Sequence, residues 1–115
     1  MNDTQDTSMC VYEPCPVETT LNIVSGKWKG LILYRLLSGK KRFTELRRLL
    51  KTITHRSLTL QLRELEQDQI IKRTVFPEVP PHVEYELTEL GLSMKPIIQA
   101  IYDWGSSYQL YMKKQ

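Results

Sequence analysis

Apolar residues recur at spacings of three and four in two short segments, residues 43–50 and residues 54–68, which is the periodicity of amphipathic helices. The apolar positions are Phe43, Leu46, Leu49 and Leu50 in the first segment and Leu58, Leu62 and Leu65 in the second. Thr54, a residue type that caps helix N-termini, begins the second segment. Because only about three residues separate the two helices, the pattern predicts a helix-turn-helix over about residues 43–68.

Two further helices are predicted before it. Residues 16–25 begin with Pro16, which suits the first turn of a helix, and carry Val17, Leu21 and Val24 on one face. Residues 27–39 are apolar on nearly all sides, which predicts a central buried helix that ends at Gly39. Its apolar residues are Trp28, Leu31, Ile32, Leu33, Leu36 and Leu37.

The segments "IIKRTVF" and "HVEYELT" are rich in residues that favour strands, and the second alternates apolar with polar positions. The prolines of the "PEVPP" link lack the N–H donor that a central strand needs. We therefore predict a two-stranded hairpin over about residues 70–87, placed as the wing of a winged helix-turn-helix.

The C-terminal segment, residues 89–112, has more apolar surface than a small core needs. The apolar seam of this segment has a heptad-like spacing and consists of Ile97, Ile101, Trp104, Tyr108 and Tyr111. Pro96 is expected to kink or restart the helix. This favours a self-association surface over added core, with Val17 and Leu21 of the first helix as further contributors.

These elements define the fold class as mainly α with a small β-hairpin wing (α+β), a winged helix-turn-helix whose N- and C-terminal helices form a homodimer interface. The 115 residues, 41% of them hydrophobic, suffice for one domain, expected over residues 12–115 after a flexible tail at 1–11. No apolar run approaches the roughly 20 residues of a membrane span, and no signal peptide is evident. We expect a soluble, cytoplasmic protein with no membrane partner.

Charge is concentrated in the middle of the chain. Residues 1–26 carry four acids and no Lys or Arg, residues 27–63 carry eleven bases and one acid, and residues 64–115 carry five bases and eight acids. The net charges are therefore −4, +10 and −3. A positive field of this kind favours an anionic polymer as partner, double-stranded DNA above all, although a solvated basic surface is the plainer alternative.

The second helix of the helix-turn-helix predicts the base contacts. With its leucines directed inward, the candidates are Thr54, His55, Arg56, Ser57, Thr59, Leu60, Gln61 and Arg63. Arg56 suits guanine and Gln61 suits adenine. Leu60 either contacts a thymine methyl or is a harmless exposed leucine. Phosphate contacts are expected from Lys40, Arg42 and Lys51, and wing contacts from Lys72, Arg73 and His82.

The two cysteines do not define a metal site, because a zinc ion needs about four ligands and only the distant His55 and His82 are left to complete the set. No catalytic cluster or phosphate-binding loop is evident, so we expect neither an enzyme nor a bound cofactor or metal. Cys15, just before Pro16, is placed to cap the first helix, where the positive end of the helix dipole favours thiolate. Glu13 and Glu18 nearby oppose that effect, because negative charge disfavours thiolate.

Successive segments of the chain resemble the HxlR family of bacterial winged-helix transcription regulators, which have a MarR-like fold. The matching motifs are "CPVETTLNIVSGKWKGLILYRLL", "KRFTELRRLL", "LTLQLRELEQDQII", "VPPHVEYELTELG" and "IYDWG". The resemblance implies a homodimer that binds an inverted-repeat operator as a repressor or activator. His82 stands where the family commonly has Lys or Arg, and Leu60 stands where a polar residue is usual.

The resemblance also implies a role for Cys15, which matches the cysteine through which several members of the family sense oxidants and electrophiles. Cys10 has no counterpart there and is either a passenger or a partner thiol for Cys15. Three alternatives stay open: a buried, unreactive Cys15, a regulator that responds to a small molecule between its dimerisation and winged-helix elements, and a helix-turn-helix used as a protein adaptor.

Overall fold

The computed structural model describes residue 11 and residues 13–115 of the protein. The predicted flexible tail falls almost entirely on residues 1–10, outside the described residues. In chain order the elements are α1 (Pro16–Val24), α2 (Lys29–Leu36), β1 (Lys41–Arg42), α3 (Phe43–Leu49), α4 (His55–Gln67), β2 (Ile71–Phe76), β3 (His82–Leu87), α5 (Glu89–Leu92) and α6 (Lys95–Lys113). The predicted fold class is confirmed: helices dominate, and a small antiparallel sheet stands beside the helix-turn-helix.

Helix α1 begins where its sequence predicts. Cys15 is the N-cap residue with extended backbone, and Pro16 and Glu18 lie in the first turn. The helix ends at Val24, and Gly26 then adopts a φ of 81°, a conformation that costs little only for glycine. The chain thereby turns sharply into α2.

The core forms where α2, α3, α4 and the sheet meet. Its most deeply buried side chains are Ile32, Leu33, Leu46, Leu58, Leu62, Leu65, Ile70 and Ile71. The three leucines of α4 are all buried, as the spacing predicts. Helix α2 differs from the prediction, because Leu31 is 43% exposed and one side of this helix is therefore open.

The sheet has three strands in the order β1-β3-β2, whereas the sequence predicted two. In the hairpin Arg73 is opposite Tyr85 and Val75 is opposite Val83, and β1 adds Lys41 opposite Tyr85 on the other edge of β3. A strand of two residues has no alternation to detect. Only its pairing with β3 makes it a strand.

The C-terminal segment forms two helices, and α6 restarts with Pro96 in its first turn, as predicted. Before the break, the Thr88 hydroxyl caps α5 by accepting a hydrogen bond from the Gly91 N–H at 3.0 Å. It also donates to the Gln69 carbonyl at 2.7 Å, which ties α5 to the end of α4. Gly91 lies so close to Ile70 that a Cβ there would collide with the Ile70 carbonyl oxygen.

Candidate nucleic-acid interface

The turn between α3 and α4 sets the start of the candidate recognition helix. Lys51 has a φ of 57°, in the left-handed region, and Ile53 is buried and anchors the turn to the core. Thr54 then caps α4, its hydroxyl accepting a hydrogen bond from the Ser57 N–H at 3.0 Å. The N-terminal turn of α4 is therefore held firmly to the domain.

The face of α4 opposite its buried leucines carries an exposed stripe. Arg56, Leu60 and Arg63 follow one another at spacings of four and three and are all exposed, with Leu60 at 48%. An exposed stripe of two guanidinium groups and one leucine on a firmly capped helix suits the edges of DNA bases in the major groove.

An open cleft of about 750 Å³ lies between α4 and the sheet. It gathers several of the predicted contacts, namely Arg42, His55, Thr59, Arg63, Arg73 and His82. Three arginines from three different elements therefore line one cleft, together with one carboxylate, Glu66. A cleft lined by several guanidinium groups suits phosphate groups.

Other predicted contacts lie outside this cleft. Its lining does not include Lys40, Lys51, Arg56, Ser57, Leu60, Gln61 or Lys72. Lys72 and Arg73 are consecutive in β2, so that their side chains leave the strand on opposite faces, and only Arg73 lines the cleft. Lys40 approaches Glu84, with 3.7 Å between its Nζ and Oε1 of the glutamate.

Three predicted contacts are already engaged within the protein. The Thr54 hydroxyl is the helix cap, and the Thr59 hydroxyl donates to the His55 carbonyl at 2.8 Å. The His55 ring lies 4.8 Å from the ring of Phe43. These side chains order the start of α4, and any contact they make to DNA comes in addition to that role.

His82 is in a setting that the sequence did not predict. Its ring stacks on Phe76 at 4.7 Å, its Nδ1 is 3.4 Å from Glu78 and its Nε2 is 3.2 Å from Glu84. With the side chain only 16% exposed, both nitrogens face carboxylates. The structure therefore places His82 within the wing, holding the loop to β3, at a position that also lines the cleft beside α4.

An ion pair between a buried lysine and a partly exposed glutamate, also absent from the sequence-based analysis, connects α2 to α4. Lys29 is 8% exposed, and its Nζ is 2.7 Å from Glu64 Oε1. Glu64 is on the candidate recognition helix, so this pair helps to fix where α4 lies. Nothing in the sequence distinguishes Lys29 from the neighbouring basic residues, because only the fold buries it.

The residues predicted for self-association are exposed on α1 and α6. They are Val17, Leu21, Ile97, Ile101, Trp104, Tyr108 and Tyr111. Trp104, at 69% exposed, stacks on Tyr108 with 5.2 Å between ring centroids. Cys15, half-buried, begins α1 next to Val17, whereas Cys10 lies outside the described residues.

The described residues include neither a cluster suited to a metal ion nor a helix suited to crossing a membrane. No group of three or more His, Cys, Asp or Glu residues is placed to hold a metal ion. None of the described helices combines the length and the apolar character that crossing a membrane requires.

A capped helix with an exposed polar stripe, beside a hairpin that contributes arginine to the same cleft, defines a winged helix-turn-helix of the DNA-binding class. Comparison of the chain with known proteins agrees with this class. The family model of the HxlR-like helix-turn-helix matches residues 23–113. The chain therefore belongs to the HxlR-like family of helix-turn-helix transcriptional regulators.

Proteins similar to this chain are also regulators. The "Uncharacterized HTH-type transcriptional regulator YdeP" of Bacillus subtilis (strain 168) is 58% identical over 98 residues, which cover 85% of this chain and 77% of that protein. The redox regulator HypR in its reduced form has a TM-score of 0.81 at 50% identity, covering 87% of this chain and 99% of that one. Its oxidised form has a TM-score of 0.77 at 55% identity, covering 81% and 96%.

Proposed function

We propose that this protein acts as a homodimer that binds an inverted-repeat DNA operator and regulates transcription in response to oxidants or electrophiles that react with Cys15. The observation that carries the DNA-binding part is that Arg42, Arg63 and Arg73, from three elements, line the same cleft between α4 and the wing. The exposed stripe of α4 lies beside that cleft on the same helix. One surface thus offers groups for phosphates and groups for bases.

Each subunit reads one half-site in this proposal. The stripe of Arg56, Leu60 and Arg63 enters the major groove, while Arg42 and Arg73 neutralise phosphates of the adjoining backbone. Arg56 pairs with guanine and Leu60 contacts a thymine methyl. The two half-sites lie roughly 34 Å apart, one turn of DNA, or a multiple of that distance.

The exposed aromatic and aliphatic residues of α6 support the homodimer. Residues such as Trp104 and Tyr108 are costly to leave in water, and a two-fold axis would bury the same face of both subunits at once. Val17 and Leu21 of α1 extend this apolar surface. Helix α1, and with it Cys15, then lies close to the subunit interface.

The likeness to a protein described as a redox regulator, in both its reduced and its oxidised form, supports the sensing part. Cys15 is at the N-terminus of α1, where the helix dipole favours thiolate. A two-electron oxidant such as a peroxide oxidises the Cys15 thiolate to sulfenic acid. A second thiol, of Cys10 or of a partner chain, then attacks the sulfenic sulfur, so that an S–S bond forms, the S–O bond breaks and the hydroxyl group leaves as water. Moving α1 at the interface changes the spacing of the two recognition helices and releases the operator.

Two measurements test the proposal. Operator binding should weaken steeply with salt, since each neutralised phosphate contributes a slope of about −0.9 in a plot of log K against log salt concentration. A slope near zero would contradict a DNA-binding role and favour the protein adaptor. Separately, diamide should release the operator from the wild-type protein, and Cys15→Ser should keep the operator bound. If Cys10 is the partner thiol, Cys10→Ser should also keep it bound. Release from Cys15→Ser would remove Cys15 as the sensor.

A further inference from the structure

The loop that joins β2 to β3, residues 77–81, has few polar contacts with the rest of the wing. Three of its five residues are prolines, which have no N–H group to donate. Among the described residues, no backbone hydrogen bond outside the helices and strands involves this loop, and Val79 at its tip is 99% exposed. The contact between Glu78 Oε1 and His82 Nδ1, at 3.4 Å, therefore ties the loop to β3.

The ring of His82 lies between two carboxylates. Its Nδ1 faces Glu78, and its Nε2 is 3.2 Å from Glu84 Oε2. A carboxylate only accepts hydrogen bonds, and a neutral imidazole has a single N–H group, so only the imidazolium form can donate to both glutamates. The two hydrogen bonds can therefore coexist only while His82 is protonated.

The two glutamates differ in how firmly they are held. Glu84 is on β3 with its side chain 18% exposed, and Lys40 Nζ is 3.7 Å from its other oxygen, Oε1. Glu78 is on the loop with its side chain 60% exposed, so that water can replace the imidazole as its partner. A neutral His82 therefore keeps its one N–H group for Glu84 and loses Glu78, which frees the loop.

The loop is also part of the cleft beside α4, because Pro80 and Pro81 line that cleft together with His82. The other charged or titratable residues of the lining, from β1, α4 and β2, are Arg42, His55, Arg63, Glu66 and Arg73. The position of the loop therefore sets the shape of one wall of a cleft whose arginines suit phosphate groups.

We propose that His82 is a positioning residue of the wing that makes operator binding depend on pH. Protonated His82 holds the loop through Glu78 and completes the wall of the cleft, whereas neutral His82 releases the loop. Histidine ordinarily changes charge between about pH 5 and pH 8, so operator affinity is higher at about pH 6 than at about pH 8. The effect on the operator rests on the proposed function, whereas the attachment of the loop does not.

The first test measures operator affinity of the full chain at constant salt, with His55→Gln as background so that His82 is the one histidine left. Affinity should be about tenfold higher at about pH 6 than at about pH 8, the effect of one charge-assisted hydrogen bond. Adding Glu78→Gln should remove this difference, because an amide can accept from the charged ring and donate to the neutral one. Glu89→Gln, at an exposed position of α5 outside the cleft lining, is the matched control and should keep the difference.

The second test follows the same proteins by nuclear magnetic resonance without DNA. Between about pH 6 and about pH 8, the backbone N–H signal of Val79 should shift together with the ring signals of His82. In Glu78→Gln the His82 ring should still titrate, while the Val79 signal should move much less.

Either of two results would overturn the proposal. A Val79 signal that does not follow His82 would show that the ring does not hold the loop. A pH dependence of operator binding that persists in Glu78→Gln would show that His82 acts on DNA by a route other than the loop. A protein that binds no operator at either pH would instead contradict the proposed function, and the titration without DNA would still decide the attachment of the loop.

Discussion

Single side chains of α4 differ in what they offer to DNA, because some are already bonded within the protein. The hydroxyls of Thr54 and Thr59 are committed to backbone groups of their own helix. Arg56 and Arg63 are exposed and, among the described residues, form no ion pair. The arginines therefore have the larger part in the proposed base and phosphate contacts.

Arg56→Ala should cost operator specificity, because a bidentate guanidinium contact discriminates guanine by about 1–3 kcal/mol. Lys51→Ala, in the turn before α4, should weaken binding to all sequences alike. Competition binding with operator variants and random DNA separates the two effects. Equal losses on operator and random DNA for Arg56→Ala would show that Arg56 contacts only phosphate.

Individual residues also show where sequence reasoning reached its limit. The exposure of Leu60 and Arg63 follows from their position relative to the buried leucines, and both are exposed. The setting of His82 did not follow, because its partners Phe76, Glu78 and Glu84 meet it only through pairing of the strands and folding of the wing loop. Contacts of this kind leave no periodic signal.

At the scale of elements, the distance to neighbouring backbone decides which glycines can accept a side chain. Gly91 of α5 packs against the backbone of Ile70, whereas Gly105 of α6 has open space where a Cβ would lie. The sequence alone treats both as glycines within helical segments. Only the packing of α5 against the end of α4 shows that Gly91 has no room for a side chain and Gly105 has.

Gly91→Ala should lower the free energy of unfolding by about 1–3 kcal/mol, because backbone must move to admit the methyl group. Gly105→Ala should raise it by about 0.5–1 kcal/mol, because alanine restricts the unfolded chain and favours helix. Denaturant unfolding monitored by circular dichroism measures both. Equal effects of the two substitutions would show that the contact with Ile70 is unimportant.

The ion pair between Lys29 of α2 and Glu64 of α4 should cost more stability when one partner is removed than when both are replaced. Glu64→Gln leaves the buried ammonium of Lys29 without its carboxylate and should cost about 1–3 kcal/mol. Glu66→Gln, at an exposed position on the same helix, should change stability by less than about 0.5 kcal/mol.

The double variant Lys29→Met/Glu64→Gln should regain part of the loss, since it removes the buried charge itself. Unfolding free energies of the wild type, of Lys29→Met, of Glu64→Gln and of the double variant complete the cycle. Additive effects would mean that the two side chains do not interact.

At the scale of the whole molecule, the distribution of charge and apolar surface separates two regions. The bases of residues 27–63 include Arg42 and Arg63 of the cleft between α4 and the sheet, whereas the exposed aromatic residues lie on α6. The proposed dimer joins the apolar regions, so that the two basic regions can act on one DNA duplex.

Trp104→Lys should produce a monomer, because it places a charge at the centre of the proposed interface. Sedimentation equilibrium should then give the chain mass of 13.5 kDa in place of twice that value. Leu92→Lys, at an exposed position of α5 outside the seam, is the matched control and should keep the mass of the wild type. A monomeric wild type, or a dimeric Trp104→Lys, would contradict this interface.

The sequence by itself determined the places of the helices and the hairpin, the buried leucines of α4, the break before Pro96 and the concentration of positive charge. These follow from local periodicity, capping and residue chemistry. The tertiary structure alone decided the strand β1, the burial of Lys29 against Glu64, the enclosure of His82 and the cleft between α4 and the sheet. Each depends on residues distant in the chain that meet only when elements pack, and no pattern within a short segment records such a meeting.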